Sequence, residues 1–130
     1  MTRCQTRQRQ RGAAVVDFVL ILVLVVPLFL GIVQVSLVLF VRNTLASAAA
    51  EGARVAAAVD QGLPAGVNRA RSEMRGVLAA QYAEDVRAST VLIDGVPAVE
   101  VTIHATVPAL GIGGPGVALT VRGHAIREQP

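Results

Sequence analysis

A nearly unbroken run of apolar residues, Ala13 to Val41, dominates the pattern of hydrophobic and polar positions along this 130-residue chain. Within it, the 24 residues from Phe18 to Val41 carry no charge, and the polar side chains among them are Gln34 and Ser36. A helix that crosses a bilayer needs about 20 consecutive apolar residues. The run therefore predicts a transmembrane helix over residues 13–41.

The helical pattern continues beyond the apolar run. Five apolar or small residues recur at spacings of three and four, which places them on one face of a helix: Leu45, Ala49, Gly52, Ala56 and Val59. We expect the helix to run to Val59, so that residues 42–59 extend it outside the membrane. From Ala13 it would measure roughly 70 Å at about 1.5 Å per residue, which is longer than a bilayer is thick.

The last 71 residues predict a small domain, residues 60–130. After the turn-rich segment 60–66, apolar positions trace a second amphipathic helix: Val67, Ala70, Met74, Val77, Leu78, Gln81 and Tyr82. Strict alternation from Val99 to Val107 predicts a half-buried strand, and Asp94-Gly95 predicts a hairpin to a strand around 88–93. A third strand is expected over 117–126. The expected fold class is α+β, a long N-terminal transmembrane helix continuing into a second helix and a three-stranded antiparallel sheet.

The charges are distributed unevenly. Four of the 12 basic residues precede the apolar run: Arg3, Arg7, Arg9 and Arg11. The rest of the chain has eight Arg against nine acids, so the net charge of +3 comes from the leader and does not indicate nucleic-acid binding. Basic residues beside a first span hold that end in the cytoplasm. We therefore expect residues 1–12 inside and residues from Arg42 onward outside.

Two features of the apolar helix leave alternatives open. Pro27 removes a backbone donor, and Gly31 follows one turn later, so a kink is expected; it indicates either a bent anchor or a local loosening used in assembly. Asp17 is a carboxylate at the start of the span, where it is costly unless it finds a partner. Pairing with Arg11 at the membrane surface is one explanation.

Small residues on the extension leave a further alternative. Ala48 and Gly52 are four residues apart, with Ala49 and Ala53 beside them, and such a surface lets another helix approach closely. Its occupant is either a partner protein or the chain's own domain.

Ala46-Ser47-Ala48 also has the form of a signal-peptidase site, but the apolar core of a signal peptide has 7–15 residues and this apolar run is about twice as long. We therefore expect a retained anchor.

The segment Gly12-Ala13-Ala14-Val15-Val16-Asp17-Phe18 resembles the processing motif of type IV prepilins and pseudopilins. The longer stretch from Arg11 to Ala58, with Pro27, Gly31 and Glu51-Gly52-Ala53-Arg54, resembles the TadE-like family of tight-adherence pilus assembly proteins. The resemblance covers about the first half of the chain.

The resemblance implies that a prepilin peptidase cuts between Gly12 and Ala13. Asp17, followed by the aromatic Phe18, would then be the fifth mature residue, about one helical turn from the new amine of Ala13. An ion pair between Asp17 and the amine of its own or a neighbouring subunit would set register during assembly. Asp17 stands where the family usually has Glu, which shortens the reach by one methylene.

Other chemistry finds little support in the sequence. The glycine-rich loop 111–116 lacks the Lys-Ser/Thr ending of a P-loop. His104 and His124 are expected on the solvated surface, and no spaced set of Cys, His and acids predicts a metal site. No activated nucleophile is recognisable, so neither an enzyme nor a cofactor is expected.

Two non-catalytic functions remain. The first is a pseudopilin-like component of tight-adherence (Flp-type) pilus assembly, held in the bacterial cytoplasmic membrane. Its partners would be the bilayer, a prepilin peptidase, and other pilus-assembly membrane proteins or pilin subunits. The second is an uncleaved single-pass anchor that displays a small extracytoplasmic binding domain. Cleavage after Gly12 distinguishes the two.

Overall fold

A computed structural model describes residues 4–78, 85–108 and 116–128, with side chains from Gly12 onward. The chain divides into two units, Met1–Ser36 and Leu37–Pro130. Its elements are two helices and three strands: α1 Cys4–Ala57, α2 Leu63–Arg75, β1 Asp85–Ile93, β2 Val96–Val107 and β3 Val117–Ile126. The predicted α+β architecture is confirmed.

The first unit is helical throughout its described residues, all of which belong to α1, and the helix continues through Pro27. Its apolar side chains from Val15 to Val35 are exposed along the whole stretch. An 18-residue window of this helix has a mean hydropathy of 3.0, and none of it is buried by the protein itself. Within the described residues, α1 is the one helix long and apolar enough to cross a membrane.

The second unit contains a three-stranded antiparallel sheet in the order β1-β2-β3. The β1–β2 hairpin turns at Asp94 and Gly95, whose φ angles of 52° and 80° are both positive. Two consecutive positive φ angles in a two-residue loop define a type I′ turn, which matches the twist of the flanking strands and explains the Asp-Gly pair.

One face of the sheet forms the core together with the two helices. Most buried side chains of the sheet alternate along the strands, as the sequence pattern predicts: Val86, Val99, Val101, Ile103, Val107 and Val121. Ala98, next to Val99, is buried as well. The part of α1 that starts at Leu37 contributes Val41, Leu45, Ala49 and Ala53 to the same cluster, and α2 contributes Ala70 and Met74. This half of α1 is therefore part of a folded domain.

The element boundaries differ in detail from those predicted. Helix α1 ends at Ala57 rather than Val59, and α2 ends at Arg75, immediately before Gly76. Two helical hydrogen bonds have donors after that point: the Gly76 amide donates to the Ser72 carbonyl at 3.3 Å, and the Leu78 amide donates to the Met74 carbonyl at 2.7 Å. Gln81 and Tyr82, predicted on this helix, lie outside the described residues, as does the glycine-rich loop except for Gly116.

Candidate functional site

The predicted processing motif lies on the exposed, helical part of α1. Gly12, Ala13, Asp17 and Phe18 are all exposed, and a Cβ added to Gly12 would meet nothing within 4 Å. Because residues 13–17 are helical, Asp17 lies one turn after Ala13 on the same face. This is the spacing at which a carboxylate and a new amine at Ala13 would meet.

The predicted basic leader is described in part. Arg3 lies outside the described residues, and Arg7, Arg9 and Arg11 are described through their backbone alone, within α1. The alternative pairing of Asp17 with Arg11 therefore stays a prediction.

Pro27 and Gly31 are both exposed on the same helix. A Cβ added to Gly31 would meet nothing within 4 Å, so this face is open to lipid or to another helix. The hydroxyl of Ser36 donates to the carbonyl of Ile32 at 2.9 Å, which satisfies a polar group of the apolar run without a partner outside the helix. The side chains of this unit thus suit an apolar solvent.

The small residues of the extension meet the chain's own second helix. Gly52 and Gly66 approach so closely that a Cβ on Gly52 would lie 2.7 Å from the Gly66 carbonyl oxygen. A Cβ on Gly66 would lie 2.5 Å from the Cβ of Ala56, and Ala48 is buried in the same domain. Of the two occupants that the sequence left open, the structure shows the chain's own domain.

A second close approach joins α1 to the sheet. A Cβ on Gly123 of β3 would lie 2.4 Å from the backbone carbon of Ala49, so only glycine fits without a backbone shift. The Glu128 amide also donates to the Ala57 carbonyl at 3.0 Å, which satisfies one carbonyl at the end of α1. Helix α1 is therefore held by α2 and β3 together.

Glu51 lies in a surface ion-pair network rather than a catalytic site. The Glu51 carboxylate lies 3.5 Å from the guanidinium of Arg69 on α2. Arg69 also contacts Glu73 at 2.6 Å, one turn along α2. All three side chains are more than a third exposed, and such pairs contribute about 0–1 kcal/mol to stability.

The outer face of the sheet carries both histidines, as predicted. Nε2 of His124 lies 2.7 Å from Oε2 of Glu100, its direct neighbour across β2 and β3. The hydrogen bond with His124 is the largest cause and lowers the pKa of Glu100. Burial opposes it with a smaller effect, and a hydrogen bond from the Thr102 hydroxyl adds to the lowering. His104 contacts the Thr120 hydroxyl at 3.0 Å instead.

Within residues 12–78, 85–108 and 116–128, no three His, Cys, Asp or Glu side chains cluster as a metal site would require.

A comparison with protein families singles out one part of the chain. The model of the family described as TadE-like protein matches residues 12–54. This segment is TadE-like. The match confirms the resemblance seen in the sequence and starts at Gly12, the predicted cleavage residue. It covers about a third of the chain, and no curated protein or solved structure matches.

The match makes residues 12–54 similar to a family associated with assembly of the tight-adherence (Tad) pilus, whose role is structural rather than enzymatic. Together with the apolar helix, it indicates a protein anchored in a membrane. The segment includes both the exposed part of α1 and nearly all of its packed part.

Sequence reasoning missed two functional packing residues, Gly66 and Gly123. The sequence contains a pattern that indicates close packing at each of these glycines. Gly62, Gly66 and Ala70 repeat the spacing of four that Ala48 and Gly52 show on α1. An isolated glycine within a strand pattern, such as Gly123, indicates a bulge or a close backbone approach.

Proposed function

We propose that this protein is a non-catalytic, pseudopilin-like membrane component of tight-adherence pilus assembly, and that a prepilin peptidase cleaves it after Gly12. The TadE-like match over residues 12–54 carries this proposal. It begins at the glycine of the processing motif, and the motif lies on an exposed helix that continues into an apolar stretch.

Asp17 gives the processed chain a means of assembly. After cleavage, the amine of Ala13 and the carboxylate of Asp17 would carry opposite charges one turn apart on one helix face. Both groups are costly in an apolar medium unless they are paired. Pairing with a neighbouring subunit would therefore fix the register of adjacent helices.

The arrangement proposed here places residues 1–12 in the cytoplasm and the predicted span 13–41 across the cytoplasmic membrane, with residues 37–41 at its outer edge because they also belong to the folded domain. The extension 42–59 and the domain 60–130 lie outside. This orientation rests on Arg3, Arg7, Arg9 and Arg11, since basic residues beside a first span stay inside. Its partners are the bilayer, the peptidase, and other pilus-assembly membrane proteins or pilin subunits.

A second candidate is an uncleaved single-pass anchor that displays a small binding domain. One observation favours it: from Val41 to Ala57, the small and apolar face of α1 is buried in the chain's own domain. A helix of a fibre would keep such a face for neighbouring subunits. In a cleaved protein, the same observation favours a minor or assembly component over the main fibre subunit.

The N-terminus of the membrane-extracted protein tests the proposal. Intact mass and N-terminal peptide mapping are carried out on protein from cells with and without their prepilin peptidase. We expect Ala13 as the first residue only where the peptidase is present, and Gly12→Leu should abolish the cleavage.

Gly31→Leu is the matched control, because Gly31 lies on the same helix and its surroundings are equally open. It should be cleaved normally. A leader that stays intact in both strains would reject the pseudopilin proposal and leave the anchor.

A further inference from the structure

Strands β1 and β3 form the two edges of the sheet, because β2 lies between them. Strand β3 is interrupted by Gly123, and its outer face is polar at Thr120, Arg122 and His124. Strand β1 pairs with β2 over nine consecutive residues without a bulge, and it contains neither Pro nor Lys. Proteins commonly protect an edge strand with a bulge, Pro or Lys. The outer edge of β1 therefore lacks the usual protection.

The tight hairpin determines which backbone groups of β1 point outward. The two residues that flank a two-residue hairpin loop form a hydrogen-bonded pair, and bonded and non-bonded pairs alternate from there. Ile93 and Val96 are this first pair, so β1 bonds to β2 through its odd-numbered residues. The Arg127 amide donates to the Pro97 carbonyl at 3.0 Å, which agrees, because Pro97 then faces β3 and not Leu92. The even-numbered residues of β1 direct their N–H and C=O groups away from the sheet.

We call the row of outward N–H and C=O groups at Ala88, Thr90 and Leu92 the β1 edge. Within the described residues, no backbone or side-chain hydrogen bond pairs the groups of this edge. Thr90 and Leu92 lie about 17 and 23 Å along the strand from Asp85, where the described chain resumes after residue 78. Both side chains are exposed, whereas Val86, at the start of the strand, is buried. The helices therefore cover the first part of β1 and not this part.

Apolar side chains lie beside the β1 edge on both faces of the sheet. Leu92, on the face that carries the helices, is 73% exposed. Ile93 and Val96, on the outer face, are 38% and 43% exposed. Asp94 follows them in the turn, is exposed, and has no ion-pair partner among the described residues. The edge thus combines unpaired backbone groups with apolar contacts and one carboxylate.

We propose that the β1 edge binds an extended segment of another polypeptide, which adds to the sheet as a further strand. The backbone of this segment pairs with Thr90 and Leu92, its apolar side chains contact Leu92 and Ile93, and a basic residue at its end pairs with Asp94. The backbone groups identify the occupant, because a row of N–H and C=O groups at alternate residues is complementary to an extended chain. An acyl chain has no such groups, and those of a helix are already paired.

Amide hydrogen exchange of the full chain in detergent micelles, followed by NMR, tests this inference. The probe is a short capped peptide that alternates Val and Thr and carries a Lys at each end. A control peptide has Pro at two adjacent central positions, which removes a donor from each edge of its strand. Exchange is compared at Ser89, Thr90, Val91 and Leu92 with and without each peptide.

Without peptide, the Thr90 and Leu92 amides should exchange faster than those of Ser89 and Val91, which are bonded to β2. With the probe at about ten times its dissociation constant, exchange at Thr90 and Leu92 should slow about tenfold. Exchange at Ser89 and Val91 should change little, and the control peptide should have no effect.

Substitutions separate the backbone from the side chains. Thr90→Pro removes an outward N–H without removing a bond to β2, and Pro is tolerated on an edge strand, so the protection of Leu92 should be lost. Thr90→Val is the matched control, because it keeps the N–H and the branched side chain, and it should bind the probe normally. Leu92→Lys is a second blocking variant at an exposed position. Asp94→Asn should weaken binding by up to about fivefold, the effect of one exposed ion pair.

Each variant is first shown to unfold cooperatively. Protection of the outward Arg122 and His124 amides instead would overturn the inference, since the probe would then add to β3. Unchanged exchange at Thr90 and Leu92 in excess probe would also overturn it, as would normal binding by Leu92→Lys. Protection that grows with protein concentration in the absence of peptide would show that a second copy covers the edge, which would overturn the proposed occupant. None of these results depends on cleavage after Gly12, so the proposed function is tested separately.

Discussion

Asp17 carries the single charge among residues 13–41, and no charged residue lies within the 24 residues that follow it. Its position on an exposed helix face, one turn after Ala13, defines the role we propose for it. Asp17→Ala should leave cleavage largely intact and reduce the protein in sheared pilus fractions by on the order of tenfold, because an unpaired amine would then be buried in an apolar medium. Quantitative immunoblotting of sheared and membrane fractions measures both effects.

The paired variants Asp17→Asn and Asp17→Glu separate charge from shape. Asp17→Asn keeps the size of the side chain and should behave like Asp17→Ala, whereas Asp17→Glu restores the usual length and should assemble at least as well as the native chain. Normal assembly of Asp17→Ala would contradict the ion pair and favour a role for Asp17 at the membrane surface.

Glu100 makes the stability of the sheet depend on pH. The hydrogen bond from His124 lowers the pKa of Glu100 below its unfolded value of 4.5, so the folded state binds the proton more weakly. The stabilisation is therefore present above that value and is lost as the pH falls through the lower folded pKa. Because the pair is near the surface, the loss should be no more than about 1 kcal/mol. The free energy of unfolding in urea is measured from about pH 6 to about pH 3.

Two variants isolate this contribution. Glu100→Gln should flatten the acid limb of the pH profile. Thr120→Val removes the partner of His104 on the same face of the sheet but no carboxylate, so it should leave the slope unchanged. An identical slope in the native chain and in Glu100→Gln would show that Glu100 does not contribute.

At the scale of elements, the contact between α1 and α2 depends on glycines that let two backbones touch. In an exposed helix, replacing Gly with Ala would stabilise the chain. At Gly66 the new Cβ would instead lie 2.5 Å from both the Gly52 carbonyl oxygen and the Ala56 Cβ. Gly66→Ala should therefore lower the free energy of unfolding by about 1–3 kcal/mol, the usual cost of overpacking. Urea unfolding in detergent, followed by circular dichroism, measures the change.

Gly76→Ala is the control for the same chemical change. Gly76 has a φ of −72°, in the right-handed helical region, and an added Cβ would come no closer than 3.6 Å to any neighbour. This variant should be neutral or more stable by up to about 1 kcal/mol. Equal destabilisation by both variants would show that the helix contact is not the cause.

The sequence predicts these elements better than it predicts their contacts. Alternation from Val99 to Val107 and the Asp94-Gly95 turn are local signals; the turn forms where predicted, and β1 and β2 each begin three residues before their predicted start. Helix α2 ends sooner than its apolar pattern suggests because Gly76 follows Arg75. The sequence did not decide which helix packs against Gly52. The small residues around it allow close packing of a helix from another protein as well as of the chain's own α2. That choice depends on tertiary packing between distant segments.

For the whole molecule, one helix serves two environments. Up to Ser36, the apolar side chains of α1 are exposed and match a bilayer; from Val41, one face is buried in the domain. The TadE-like segment includes both parts. The exposed apolar part of α1 and the part that contributes to the folded domain thus belong to a single helix, so the domain cannot be separated from the TadE-like helix without losing core residues.

Removing α1 from the domain tests this dependence. A fragment of residues 37–130 keeps Leu45, Ala49 and Ala53 in the core and should unfold cooperatively in urea, whereas residues 63–130 should not. In the full chain, Leu45→Ala should cost about 2–5 kcal/mol, because Leu45 is fully buried. Leu39→Ala is the matched control: Leu39 is 50% exposed, and its loss should change little. Cooperative unfolding of residues 63–130 with the midpoint of the longer fragment would contradict the role of α1 as core.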